Sequence, residues 1–565
     1  MTRPFLAPAA ALAAALALPL ALLAAVPASA ASVTVMTWVD LQTAFAVDGD
    51  TVVLGADITA PANENLAVDP GETMVLDLHG HTLAIADPGP TLAAIEVADG
   101  TELTINATGG GTLTATGGNS SAGIGSEWGA SAGTITINGG TINATGGADA
   151  AGIGGGNLGD GGTITINGGD ISAQGGARAA GIGGGGGQAG AGRTITINGG
   201  DINAQGGTLA AGIGGGGGDF ADLGTITITI NDGDVTAIGG DLGAGIGGGN
   251  LGGTITITIN DGDISAQGGA LAAGIGGGQA GAGGTIAING GDVNAQGGTR
   301  AAGIGGGNLG DGGTIAINGG VLSARGGSNG AGIGGGGVGS NGAGGGNAGD
   351  VTITGGDVTA TGTNGGPGIG SGAGFAGDIV TGSIVLTGGT IAATGGTNGA
   401  GIGGGDNTTW AGFLDIQGTP DAGAATDGGD PHAATITNSV EPAGVGYSAV
   451  TATVSSGGQI IVGFHYLVTF DAAGGSGPSS VTVNDGDTLT ALTDPSRDGY
   501  AFDGWTLGGS AYDFATAVTG PITLTATWAR VLAATGVGAE FSLGGAGILV
   551  LGSVLLIAAR RRATA

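Results

Sequence analysis

The sequence predicts an all-β chain built around a parallel β-helix solenoid. Three observations carry that expectation. Ala-Gly-Ile-Gly, or a close variant, recurs with its Ile at 124, 153, 182, 213, 246, 275, 304, 333, 369 and 402. A period near 30 residues marks stacked units that bury their apolar faces only against one another. Within a unit, short runs alternate polar and apolar residues, the period of a strand. Paired glycines part these runs and suit corners where a Cβ would clash or φ must be positive.

In chain order, the N-terminus carries Arg3, an apolar run from about Ala9 to Val26, and then Pro27-Ala28-Ser29-Ala30. Ala28 and Ala30 suit a signal-peptidase exit, so residues 1–30 are expected to be a secretory signal. The rival is a retained N-terminal anchor. Residues 31–120 should cap the solenoid and supply its first coils. Leu41-Gln42-Thr43-Ala44-Phe45-Ala46 reads as a short amphipathic cap, and Gly49-Asp50-Thr51-Val52-Val53-Leu54 as the first strand. A cap is required because an open solenoid end leaves unpaired strand and bare core. Residues 76–83 and 101–105 alternate like strands of early coils.

Residues 121–410 hold the repeat. Thr163-Ile164-Thr165-Ile166-Asn167 is one alternating run, Gly168-Gly169 turns the chain, and Asp170-Ile171-Ser172-Ala173-Gln174 is a second. Gly175-Gly176 then leads to Ala180-Gly181-Ile182-Gly183, a third apolar touch before a Gly-rich loop. Three short strands per 30 residues make one coil. Stacking should align Ile164, Ile195 and Ile226 inward, and likewise Ile182 and Ile213. Ten coils at the strand spacing give roughly 48 Å of shaft. Unit length should vary in the Gly-rich loop, where insertion costs little.

Residues 33–410, on the cap, early strands and repeat just quoted, resemble right-handed β-helix proteins of the pectate-lyase-like group. The resemblance implies a right-handed solenoid. Enzymes of that group are polysaccharide lyases, with a basic residue beside calcium-binding carboxylates, or hydrolases with carboxylates clustered around a cleft. Here Arg178, Arg193, Arg300 and Arg325 hold no fixed repeat position, and the repeat stays regular over most of its length. No catalytic residue is assigned, since a fold alone licenses no function.

Asp170, Asp201, Asp234, Asp263 and Asp292 share one place in five consecutive units, with Asp357 later and Thr141, Val321 and Thr390 interrupting. Stacked carboxylates would repel by on the order of 1 kcal/mol per neighbouring pair in water. One reading is a low-affinity Ca²⁺ surface, because hard cations take several oxygens. The simpler reading, which we favour, is a hydrated turn exit after Gly-Gly. Asn138, Asn167, Asn198, Asn231, Asn260, Asn289 and Asn318 suit an internal amide ladder at a corner. Gly154–Asp160 is only faintly like a calcium nonapeptide, since the period is not nine. The Gly-Ile-Gly-Gly-Gly runs recur in nearly every unit with no helix behind them, unlike nucleotide loops. His79 and His81, placed on one strand face, lack a third partner for a metal. His432 and His465 stand alone.

Composition narrows the partners. Gly makes up 141 of 565 residues without a collagen period, and aromatics are 3%. The core must therefore be thin layers of Ile, Val, Leu and Ala. Cysteine is absent, so the fold holds without disulfides. A net charge of −33 excludes nucleic acid, which needs a basic footprint.

Residues 411–464 read as an irregular β linker or cap, with candidate strands at 433–438 and 449–454. Residues 465–530 are dense in aromatics: Phe470, Tyr500, Phe502, Trp505, Tyr512, Phe514 and Trp528. From Tyr466-Leu467-Val468-Thr469-Phe470-Asp471 through Gly499-Tyr500-Ala501-Phe502-Asp503-Gly504-Trp505 to Ile522–Trp528, this stretch resembles the internalin B-repeat, or Listeria–Bacteroides repeat. The resemblance implies a small β-grasp-like spacer or adhesion module whose aromatics are core.

Residues 531–565 contain Leu532-Ala533-Ala534-Thr535-Gly536, an apolar stretch at 541–559 and Arg560-Arg561-Arg562. About 19 apolar residues can cross a bilayer with a cytoplasmic Arg cluster. The order resembles sortase sorting signals of Gram-positive surface proteins, in the Leu-Ala-x-Thr-Gly form of high-GC actinobacteria. It implies cleavage between Thr535 and Gly536 by sortase and transfer of the Thr carboxyl to peptidoglycan, making the membrane span transient. The rival is a single-span membrane protein with an external ectodomain. All ten basic residues are Arg, so the protein has no lysine amine for sortase polymerisation into a shaft.

The sequence therefore points to a cell-wall-anchored, secreted adhesin or structural stalk, without catalysis and with no cofactor beyond Ca²⁺ on the Asp column. Its expected partners are sortase, peptidoglycan and a glycan or host-surface ligand. The alternative is a surface-tethered β-helix that binds or degrades polysaccharide.

Overall fold

A computed structural model describes residues 32–410, apart from 48, 50, 188–192, 219–223, 339–343 and 376–377. It also describes short β segments between 413 and 454, and 459–531 apart from 479, 485 and 491–492. The signal-peptidase residues Ala28 and Ala30, the pentapeptide 532–536 and the apolar stretch 541–559 lie outside the described residues. Among the described residues, no helix is long and apolar enough to cross a membrane.

Residues 32–416 form a right-handed-type parallel β-solenoid of about 11 turns. Each coil lays one strand on each of three faces. The first face is a 14-stranded sheet from Ser32–Val35 to Phe413–Ile416, and the third a 12-stranded sheet from Leu66–Ala67 to Ile402–Gly403. On the second face, strands such as Asp170–Gln174 and Asp201–Gln205 pair parallel, coil on coil. At the strand spacing, the first face is about 60 Å long.

Alternation places the core. In the coil that starts at Thr163, the side chains of Ile164, Ile166, Ile171, Ala173 and Ile182 are buried, and the polar residues between them face outward. Each buried Ile contributes about 1.5–3 kcal/mol. The layers stack in register: Ile153, Ile182, Ile213 and Ile246 pair in sequence on the third face. Gly169, at φ 106°, turns the corner between first and second faces, a conformation disfavoured for residues with a Cβ.

Two sequence expectations need correction. Ile164 and Ile195 do stack, but Ile195 meets Ile228, while Ile226 meets Arg193. The strand Thr225–Ile230 carries an extra Thr-Ile pair, so either register buries isoleucine, and all three of Ile226, Ile228 and Ile230 are buried. The first strand is Ser32–Val35, which pairs parallel with Thr51–Leu54.

The amphipathic cap expected at residues 41–46 is part of a helix. It spans Trp38–Phe45, with the Thr37 side chain accepting from the Asp40 backbone N–H, and buries Trp38, Leu41, Ala44 and Phe45 on one face. The Trp38 indole N–H donates to Glu64, tying the cap to the residues beyond the next coil strand. At the other end, Gln459–Gly463 pairs antiparallel with Thr390–Thr394, ending the parallel run of the second face. Ala434–Thr435 and Thr453–Val454 pair antiparallel, inside the two runs expected to be strands.

The C-terminal module is a small mixed sheet. Ile522–Arg530 lies between Val468–Asp471, parallel, and Tyr500–Leu507, antiparallel. Its described residues contain no helix. Trp505 is buried and meets Phe470 and Phe502 edge to face at 4.9 and 5.5 Å. The Trp528 indole N–H donates to the Ala472 carbonyl at 2.9 Å. Phe470 and Trp505 are the buried aromatics of this core, while Tyr500, Phe502, Tyr512, Phe514 and Trp528 are half-buried around them.

Candidate functional site

The outer side of the second face carries the most ordered chemistry. Because alternate residues point outward, stacking turns single positions into columns. Asp170, Asp201, Asp234, Asp263 and Asp292 pair in register and are all exposed, bounded by Thr141 and Val321. Beside them runs a column of Ser172, Asn203, Thr236, Ser265 and Asn294. The third column is Gln174, Gln205, Ile238, Gln267, Gln296 and Arg325.

The Asp column supplies one carboxylate per coil in a straight line. Among the described residues, no three acidic or histidine side chains converge on a point that could hold a metal. A calcium ion, which takes six to eight oxygens, would have to draw most of them from water. Along the third column, Gln267, Gln296 and Arg325 line a groove of ≈ 520 Å³ together with Asp241, Thr299 and Ser328. The glycine pairs Gly268-Gly269, Gly297-Gly298 and Gly326-Gly327 also line it.

The asparagines form a continuous amide ladder, and its position is a correction. Asn138, Asn167, Asn198, Asn231, Asn260, Asn289 and Asn318 each donate from Nδ2 to Oδ1 of the Asn one coil back, at 2.6–2.8 Å, starting from Asn106. Thr354 Oγ1 continues it onto Asn318 at 2.9 Å. Each Asn follows an inward Ile, so alternation turns it outward, and the ladder lies on the surface of the corner, not inside. The histidines are corrected too. His79 has φ 47° and sits with His81 in the turn between Thr73–Asp77 and Thr82–Ile85, not on a strand. Asp77 Oδ1 accepts from the His79 and Thr108 backbone N–H groups, and His81 Nδ1 lies 3.5 Å from Asp57.

One cluster escaped the sequence reading. Ile124-Gly125-Ser126-Glu127-Trp128 stands where the next unit has Ile153-Gly154-Gly155-Gly156-Asn157. Glu96 pairs in register with Gly125, where later coils have glycine. Ser126 is buried, donating to Ala130 O at 2.6 Å and accepting from Gly156 N at 2.9 Å. Trp128 is 62% exposed. Glu127 Oε1 is buried with no hydrogen-bond partner among the described residues. Burial raises the Glu96 carboxyl above its ordinary value. Burial also raises Glu127, the Glu96 charge adds to the rise, and the Ala93 backbone N–H opposes it.

A carboxyl raised in the folded state favours folding in acid, and that advantage is lost as pH rises through its folded pKa. Glu127→Gln removes one charge from the pair and keeps an oxygen for Ala93. At neutral pH the variant should melt higher than wild type, on the order of 1 °C given the group's partial exposure. At a pH well below 4.5, the ordinary Glu value, the two curves should coincide. Calorimetry at both pH values checks it; an offset that persists unchanged in acid contradicts it.

Two known families match parts of the sequence. A Listeria–Bacteroides repeat domain matches residues 466–527. A β-helix repeat matches 108–130, 135–157, 164–186, 195–217, 228–250, 257–279, 286–308, 351–373 and 384–406. No curated protein and no solved structure matches it.

Proposed function

We propose that this is an exported protein, anchored to the cell wall through Thr535, whose solenoid serves as a non-catalytic adhesin or structural stalk. The observation that carries this reading is the sameness of the second face from coil to coil. Asp and a hydroxyl or amide recur in line over five coils, with Gln in four of them and Ile238 in the fifth, as suits multivalent contact with a repetitive glycan or host surface. A catalytic centre would instead need one coil unlike its neighbours. The Listeria–Bacteroides repeat module adds a spacer between shaft and wall, and the Leu532–Gly536 pentapeptide supplies the attachment.

Thr535→Ala tests the anchor. Wild-type protein should be released from the wall by peptidoglycan digestion, carrying a muropeptide on Thr535. The variant should stay with the membrane or in the medium, with at least a tenfold loss of wall-linked protein. Equal wall retention of both would overturn the anchoring reading.

A second reading rests on the one coil that does differ. The Glu96–Glu127 pair beside Trp128 has the ingredients of glycan cleavage: two interacting carboxylates, both raised by burial, and an exposed aromatic for a sugar face. Incubation with acidic and neutral polysaccharides decides it. New reducing ends or unsaturated uronates, lost in Glu127→Gln, would replace the adhesin reading.

A further inference from the structure

The amide ladder has chemistry beyond stacking. In five of its rungs the asparagine precedes glycine: Asn138-Gly139, Asn167-Gly168, Asn198-Gly199, Asn289-Gly290 and Asn318-Gly319. All five asparagines are exposed. The backbone N–H groups of Gly139, Gly168, Gly199, Gly290 and Gly319 donate to no acceptor among the described residues. Glycine brings no side chain to shield that nitrogen, so each step pairs an amide carbon with an unhindered nucleophile one residue on. The remaining rungs differ. Asn106 precedes Ala107, and Asn231 and Asn260 precede Asp232 and Asp261. In those two Asn-Asp corners the Asp carboxylate accepts the next glycine N–H, at 2.7 Å to Gly233 and 2.9 Å to Gly262.

We propose that this corner is a line of self-modification sites, at which the five Asn-Gly steps form succinimides and the amide ladder sets how fast. The glycine nitrogen gives up its proton to solvent base and attacks the Asn Cγ. A new bond from that nitrogen to Cγ closes a cyclic imide, the Cγ–Nδ2 bond breaks, and ammonia leaves with the proton. Water then opens the imide at either carbonyl, leaving Asp or isoaspartate. One water is consumed and one ammonia released, with no change of oxidation state.

The ladder restrains the first step. Attack requires Cγ to swing toward the following nitrogen, yet each asparagine amide is held at both ends. Asn198, for example, donates to Asn167 Oδ1 at 2.7 Å and accepts from Asn231 Nδ2 at 2.6 Å. A rung that becomes Asp keeps its acceptor oxygens but has no N–H for the coil before it. Its predecessor is then held at one end only, so modification spreads from a converted rung toward the N-terminal side. At Asn167, Asn198 and Asn289 each event also adds a carboxylate three residues from Asp170, Asp201 and Asp292 of the Asp column. The site therefore makes an already acidic face more acidic with age. This goes beyond the anchoring and adhesin readings and does not depend on them.

The test incubates the full-length protein at mildly alkaline pH, below its melting temperature, and maps Asp and isoaspartate by peptide mass spectrometry. In wild type, product should appear at the five Asn-Gly steps, more slowly than in the same protein held unfolded in denaturant. Asn106, Asn231 and Asn260 should stay intact over that time. Asn231→Asp keeps the side chain's size, removes the donor to Asn198 and adds one carboxylate; it should speed reaction at Asn198 severalfold and leave Asn138 unchanged. Gly199→Ala, which leaves the ladder's side chains in place and whose Cβ would meet Asn167 O at 3.5 Å, should reduce Asn198 to background. An unchanged Asn198 rate in a folded Asn231→Asp protein would overturn the proposal. So would folded sites reacting as fast as unfolded ones, or no product at the five steps.

Discussion

Gly269→Ala should destabilise the solenoid by about 3 kcal/mol or more, the upper end for overpacking a close contact. A Cβ at Gly269 would lie 1.6 Å from the Gly240 carbonyl oxygen, which is backbone of the coil before it. No rotamer change can relieve that contact. The two coils would have to part, and their separation is fixed by the parallel hydrogen bonds on all three faces. Gly298 meets Gly269 O, and Gly327 meets Gly298 O, each at 1.7 Å, so the same restriction recurs up the corner. The contrast is Gly139, around which a Cβ would find nothing within 4 Å. Gly139→Ala should change stability by less than about 1 kcal/mol. Urea unfolding of both variants measures the difference. Since neighbouring coils support each other, Gly269→Ala should also split the transition, one half of the shaft melting before the other. Equal midpoints for the two variants would contradict this account of the glycines.

That glycine pattern shows how much the sequence disclosed. The period of the Ile residues and their alternation with Thr located the strands, the three faces and the core, because both signals come directly from side-chain direction. Register was harder. Thr225–Ile230 offers isoleucine to the core in either of two pairings, so alternation alone cannot choose between Ile226 and Ile228. The corner decides it: Ile195 and Ile228 each precede their ladder asparagine, Asn198 and Asn231, by three residues. Counting back from the asparagine would have given the observed stack. The same alternation, applied one residue further, would have put the ladder outside. Glu96 and Glu127 were not legible, because they lie a full coil apart in sequence and only stacking brings them together. Their signal was negative, a coil lacking the glycines of its neighbours at Ser126 and Glu127. The Asp column was legible as a register, and the structure adds that its members stand exposed and in line.

The second large effect concerns the unit of construction itself. If one coil runs from Ile246 to the residue before Ile275, which pairs with it, removing residues 246–274 takes out a complete layer. Ile275 would then stack on Ile213 as Ile246 does now, since these positions share one column. The Gly245 end meets the same Gly-rich loop, the Asp and Asn columns close up, and the shaft shortens by about 4.8 Å. Stability should fall only by one coil's share of a nearest-neighbour sum. Removing residues 246–259 instead deletes the third-face strand, its loop and a first-face strand, leaving the next coil out of phase. Inward isoleucines would be exposed, with a cost of several kcal/mol and loss of a cooperative transition.

Thermal unfolding of these two deletions, followed by circular dichroism beside wild type, tests the solenoid most directly. The account predicts a β-sheet spectrum and a cooperative melt for the 246–274 deletion, and neither for the 246–259 deletion. A folded 246–259 deletion, or an unfolded 246–274 deletion, would contradict a shaft built of interchangeable coils.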